Sequence, residues 1–97
     1  MSTRKGLAIL GSTGSVGRST LSVVAMHPEL LQVTVLAAHS GWQAIVAQAR
    51  QFQPATVVLV DPEAAALARA ALRDCGSASQ VASGPGALAE EIGRAHV

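Results

Sequence analysis

An apolar run at residues 7–10, Leu-Ala-Ile-Leu, breaks directly into Gly11-Ser12-Thr13-Gly14-Ser15-Val16-Gly17, and a helical pattern follows. A strand, a tight glycine turn and a helix in that order constrain the fold more than any other feature of the chain. Gly11 supplies the backbone angles that turn a strand sharply into a helix. Gly14 leaves bare main chain where a phosphate would approach, and Gly17 lets the helix sit close on the strand. The helix N-terminus offers unpaired N–H groups and the positive end of its dipole to an anion. Ser12, Thr13 and Ser15, with Ser19 and Thr20 beyond them, suit either capping of the new helix or donation to phosphate oxygens. No carboxylate lies between Leu10 and His27, and Arg18 stands in the first turn, so that end is open to an anionic ligand. G-x-x-G-x-x-G spacing alone also fits a purely structural turn. The strand before it and the helix after it favour phosphate binding.

Strand and helix patterns alternate from there on. The sequence predicts a strand over 5–10, apolar enough to be buried on both faces, and a helix over 15–27 with Val16, Leu21, Val23 and Val24 facing the core. Pro28 ends that helix. A strand at 33–37 precedes a helix starting at Gly41, whose stripe is Trp42, Ile45, Val46, Ala49 and Phe52. After Pro54 comes a strand at 57–60. Asp61-Pro62-Glu63 then reads as N-cap, N1 proline and first-turn acid of a helix running to Asp74, with Gly76 closing it. A short strand at 80–82 and the start of a further helix complete the pattern. The fold class is therefore α/β: a Rossmann-like, doubly wound parallel sheet, the βαβαβαβ portion of a larger dinucleotide-binding domain.

With 97 residues the chain is at most one small domain, and 49% hydrophobic against 13% charged residues is enough for a packed core. A net charge of +1 without a basic run gives no footprint for nucleic acid. No apolar stretch approaches membrane-spanning length. The single cysteine, Cys75, excludes a disulfide framework, fits a reducing cytoplasm, and reads as a half-buried structural thiol. Asp61, Glu63, Asp74 and Glu90-Glu91 form no metal-ligand or acid–base constellation.

The end of the second strand selects the nucleotide. NAD sites place an acid there to hold the ribose 2′-hydroxyl, but Leu36-Ala37-Ala38-His39-Ser40-Gly41-Trp42 contains none. The missing carboxylate favours NADP, with Ser40 able to donate to a 2′-phosphate and His39 able to add charge there if protonated. His39 equally fits an exposed loop position, and Ser40 the N-cap of the following helix.

Assembled, these segments resemble the N-terminal part of the 1-deoxy-D-xylulose 5-phosphate reductoisomerase family. The resemblance rests on residues 8–17, Ser19-Thr20-Leu21, Val23-Val24, His27-Pro28-Glu29, residues 33–38 and Phe52-Gln53-Pro54. It implies an NADPH-dependent oxidoreductase that isomerises and reduces 1-deoxy-D-xylulose 5-phosphate to 2-C-methyl-D-erythritol 4-phosphate in non-mevalonate isoprenoid synthesis. It further implies a divalent metal (Mg or Mn), a phosphorylated sugar substrate and a cytoplasmic homodimer. Gly11, Thr13, Gly14, Ser15 and Val16 would meet the cofactor's phosphate region. His39, Ser40 and Gly41 would stand near its 2′-phosphate, where many members carry Gly-Lys-Asn. The family's metal and catalytic residues lie further along than these 97 positions, so residues 1–90 read as part of a cofactor-binding domain without catalytic residues. Residues 91–97 resemble the translation of a sequencing-library adapter and are set aside. Another NADP-dependent G-x-x-G-x-x-G reductase or dehydrogenase, or a nucleotide-binding module without catalysis, are the alternatives. A downstream acidic metal cluster, a catalytic cysteine or a Tyr-x-x-x-Lys motif would separate the enzymes.

Overall fold

The computed structural model describes residues 4–84, 86 and 87. Seven elements follow in order: β1 (Lys5–Leu10), α1 (Ser15–Met26), β2 (Leu31–Ala38), α2 (Trp42–Phe52), β3 (Thr56–Leu59), α3 (Pro62–Asp74) and β4 (Gln80–Ser83). All strand pairings are parallel and the order across the sheet is β1-β2-β3-β4. The further helix predicted after residue 84 is described only at Gly86 and Ala87, and residues 91–97 lie outside the described residues.

Each crossover steps to the next strand in the same direction. Right-handed crossovers that never reverse place their helices on one side of a sheet. Accordingly Leu21 and Val24 of α1, Ile45 and Ala49 of α2, and Ala64, Ala65, Ala68 and Leu72 of α3 share one core with Ile9, Val33, Leu36, Val57 and Leu59. The other face carries Val35, Ala37 and Val58, with Ala8, Ala82 and Ala87 packed against them. The described residues thus form one winding of the predicted sheet.

Among the described residues β1 is less buried than its sequence predicts. Its apolar sequence predicts burial on both faces, yet only Ile9 is buried and Leu10 is 52% exposed. β1 is an edge strand among the described residues, whereas β2 and β3 have neighbours on both sides and hold the most buried positions. In α1 the buried positions are Gly17, Leu21 and Val24, spaced as one helical face. Val16 and Val23, predicted to face the core, are 80% and 52% exposed.

β2 is longer than predicted and contains an irregularity. Leu7 pairs with Val33 but Ala8 pairs with Val35, so Thr34 is an extra residue on β2. The shift puts Val33 and Leu36 on the same face, three positions apart. Thr34 Oγ1 donates to the Leu7 carbonyl at 3.1 Å, and a Cβ on Gly6 would stand 2.9 Å from the Thr34 methyl. Gly6 makes room for the extra residue.

Helix α3 ends as its sequence predicts. Asp61 caps its start through a bond from the Glu63 N–H, with Pro62 in the first turn. At its end Gly76, at φ +76°, donates to the Arg73 carbonyl while the Ser77 N–H donates to Leu72, the paired bonds of a Schellman turn. Cys75 is exposed rather than half-buried, and its thiol donates to the Leu72 carbonyl.

Candidate functional site

The turn between β1 and α1 lies at the C-terminal ends of the strands. Its three glycines divide the work of forming it. Gly11 has φ +64°, the left-handed region that a side chain disfavours. At Gly17 a Cβ would fall 2.3 Å from the Gly11 carbonyl oxygen and 2.7 Å from Ser12 Cα, so the first turn of α1 rests directly on the loop's main chain. Gly14 is different. Its backbone is extended (φ −82°, ψ 174°), and a Cβ there would come no nearer than 3.4 Å to anything but its chain neighbours. The fold requires Gly11 and Gly17 and leaves Gly14 free.

The loop's main chain is sorted by polarity. Gly11 O accepts from the Gly14 N–H at 2.9 Å and Gly14 O from the Arg18 N–H at 2.9 Å. Ser12 O accepts from Gln48 Nε2 at 2.8 Å, and Thr13 O from Arg18 Nε at 2.9 Å. Every carbonyl from residue 11 to 14 therefore has a donor within the protein. By contrast the N–H groups of Thr13, Ser15, Val16 and Gly17 have no hydrogen-bond partner among the described residues. No side chain caps α1 and no acid occupies its first turn. The result is a group of free donors at the positive end of a helix dipole, an arrangement suited to a phosphate.

The hydroxyls do not act alike. Ser12 is fully buried, Thr13 is half-buried and Ser15 is exposed. None of them caps α1, which removes one of their two predicted roles. Thr20, beyond the loop, donates back to the Val16 carbonyl at 3.0 Å, so its hydroxyl is engaged within the helix.

The second loop lies against the first. A Cβ on Gly41 would stand 3.3 Å from Thr13 Oγ1, which brings residues 28 positions apart in sequence into near contact. Gly41, at φ −76° and ψ 65°, forms an inverse γ-turn closed by the Trp42 N–H donating to the Ser40 carbonyl at 2.8 Å. The N-cap of α2 is thus Gly41 with no side-chain bond, not Ser40. Ser40 and His39 are exposed, and the His39 carbonyl accepts from the Asp61 N–H at 2.9 Å. Asp61 stands beside the second loop, but its carboxylate is directed to the start of α3. The structure places Gly11, Thr13, Gly14, Ser15 and Val16 on one loop and His39, Ser40 and Gly41 on its neighbour, with Thr13 and Gly41 at the junction.

Sequence reasoning missed Gln48 and the bond from Arg18. A signal for Gln48 is present: residues 45, 48, 49 and 52 follow the spacing of a buried helix face, and only position 48 is polar. Among the described residues no three His, Cys, Asp or Glu side chains gather as a metal site, and no helix is long and apolar enough to cross a membrane.

A family model described as 1-deoxy-D-xylulose 5-phosphate reductoisomerase matches residues 7–97. Curated proteins of that name from Burkholderia mallei and Burkholderia pseudomallei are each 49% identical over 87 residues, covering 90% of this chain and 22% of their own length. The chain thus spans about a fifth of these relatives. Among solved structures, a DOX-P reductoisomerase in complex with NADPH, fosmidomycin and magnesium superposes with a TM-score of 0.82 at 32% identity, covering 87% of this chain and 20% of that one. The Zymomonas mobilis enzyme in complex with NADPH gives 0.84 at 30% identity, covering 91% and 23%.

Proposed function

The chain belongs to the 1-deoxy-D-xylulose 5-phosphate reductoisomerase family, and we propose that it is the NADPH-binding part of an enzyme that converts 1-deoxy-D-xylulose 5-phosphate to 2-C-methyl-D-erythritol 4-phosphate. The observation that carries this reading is the sorted polarity of the first loop, with four free N–H groups and four engaged carbonyls at one helix N-terminus. In this reading the Thr13, Ser15, Val16 and Gly17 N–H groups hold the pyrophosphate, Gly14 lets it approach, and Ser15 and Thr13 add hydroxyl donors. The exposed Val16 side chain contacts the cofactor, and His39, Ser40 and the Gly41 turn receive the 2′-phosphate. When bound, NADPH supplies the hydride of the reduction.

For the intact enzyme the same reading implies a phosphorylated sugar substrate, a divalent metal, a homodimer and a cytoplasmic setting. Residues 1–90 would be cofactor-binding, and we assign none of the described residues to the metal. Trp42, the only tryptophan, adjoins Gly41 and emits where NADPH absorbs, so titration by tryptophan quenching tests the proposal directly. NADPH is expected to bind at least tenfold more tightly than NADH. Equal affinity for the two would refute the assignment of the second loop, and binding of neither would refute the assignment of both.

A further inference from the structure

Gln48 reaches from α2 to the first loop and donates to the Ser12 carbonyl across 36 positions of sequence. In a trans peptide the carbonyl and the following N–H point in opposite directions. Fixing Ser12 O therefore fixes the Thr13 N–H, with its hydrogen turned away from Gln48. The other three free N–H groups belong to the first turn of α1 and are oriented by the helix itself. Thr13 lies outside the helix and lacks that support. Arg18 pins the Thr13 carbonyl, but the N–H this orients, that of Gly14, is already spent on Gly11 O.

A second observation falls on the same pair. Ser12 Oγ and Gln48 Oε1 are buried with no hydrogen-bond partner, the two such side-chain atoms found among the described residues. Unpaired buried polar atoms disfavour a fold. Position 48 lies in a stripe with Ile45, Ala49 and Phe52, where an apolar side chain would leave no such atom. Packing alone does not account for an amide there, and the bond to Ser12 does. We propose that Gln48 is a positioning residue for the cofactor loop, holding the Ser12–Thr13 peptide so that the Thr13 N–H is presented to the pyrophosphate. This rests on the NADPH-binding function proposed above.

The test uses the whole 97-residue chain, labelled with 15N, with NADP+ as the probe. Gln48→Met keeps the reach and removes the donor. Gln48→Glu restores a donor only when its carboxyl is protonated. In Q48M the Thr13 amide resonance is expected to move while those of Ser15, Val16 and Gly17 stay in place, and NADP+ affinity is expected to fall about tenfold, the effect of one lost hydrogen bond. Q48E should behave like Q48M at pH 8. It should recover toward the wild type, compared at each pH, as the carboxyl is protonated. An unmoved Thr13 amide with unchanged affinity in Q48M would overturn the proposal. So would a pH-independent Q48E, which also decides the matter where Q48M fails to fold. A moved Thr13 amide in a chain whose wild type does not bind NADP+ would sink the cofactor reading and leave the loop-positioning role standing.

Discussion

Replacing Gly17 with alanine sets two effects of opposite sign against each other. Gly17 is the third residue of α1, where alanine is favoured over glycine by about 1 kcal/mol of helix propensity. Against this, the new Cβ would stand 2.3 Å from Gly11 O and 2.7 Å from Ser12 Cα, both main-chain atoms with no rotamer to change. Normal contact requires a separation of roughly an ångström more. The Gly11–Ser12 segment cannot yield easily, because Ser12 N donates to Ala37 O, Gly11 O accepts from Gly14 N, and Ser12 O is held by Gln48. Relief means lifting α1 from the loop or breaking one of these bonds. Overpacking of this kind costs about 1–3 kcal/mol, and a broken bond adds about 1 kcal/mol. Gly17→Ala is therefore expected to lower stability by about 1–3 kcal/mol after the propensity gain, a large share of the total for a domain of this size. Urea denaturation followed by far-UV circular dichroism measures it. Gly14→Ala is the control: its Cβ meets nothing closer than 3.4 Å, and the loss of an N-cap glycine roughly cancels the reduced entropy of the unfolded chain, leaving about 0.5 kcal/mol or less. Its NADPH affinity should nevertheless drop at least tenfold. A neutral or stabilising Gly17→Ala would refute the close-approach argument, and a Gly14→Ala as unstable as Gly17→Ala would refute the division of labour between the glycines.

Three further outcomes are expected. Gly11→Ala, which forces a side chain into φ +64°, should cost about 1 kcal/mol in the same denaturation assay. Thr34→Val removes the hydroxyl donor to Leu7 while keeping the shape, and should lower stability by about 1 kcal/mol, with faster amide exchange along β1 as its signature. Ile45→Ala empties a fully buried site between α2 and the sheet and should cost about 2–5 kcal/mol, visible as a large fall in thermal midpoint; a loss below about 1 kcal/mol would contradict the packing described for α2.

Much of this chain was legible before its structure. The seven elements, the Asp61-Pro62-Glu63 start and Gly76 end of α3, and the structural roles of Gly11 and Gly17 follow from local chemistry. Backbone angles, caps and side-chain periodicity act over a few residues, so a few residues encode them. Even the family was legible, from the block around the first loop together with segments as far along as Phe52-Gln53-Pro54. Most features that sequence did not reveal are made by partners far apart in the chain, the bond from Arg18 to the Thr13 carbonyl being a local exception. Among the described residues, the edge position of β1, and with it the exposure of Leu10, depends on strand order, which an apolar run cannot report. The extra residue at Thr34 depends on its partner strand, and the space for it on Gly6. Val16 and Val23 looked like core because hydrophobicity does not say which side of a helix meets the sheet. The bond from Gln48 to Ser12 joins two elements whose proximity exists only once the sheet has formed. Sequence alone determined that a glycine turn opens a helix, because sterics at single residues demand it. Only the tertiary structure decided that the Ser12 carbonyl is held by Gln48 and the Ser12 N–H by the Ala37 carbonyl, because those partners come from another helix and another strand.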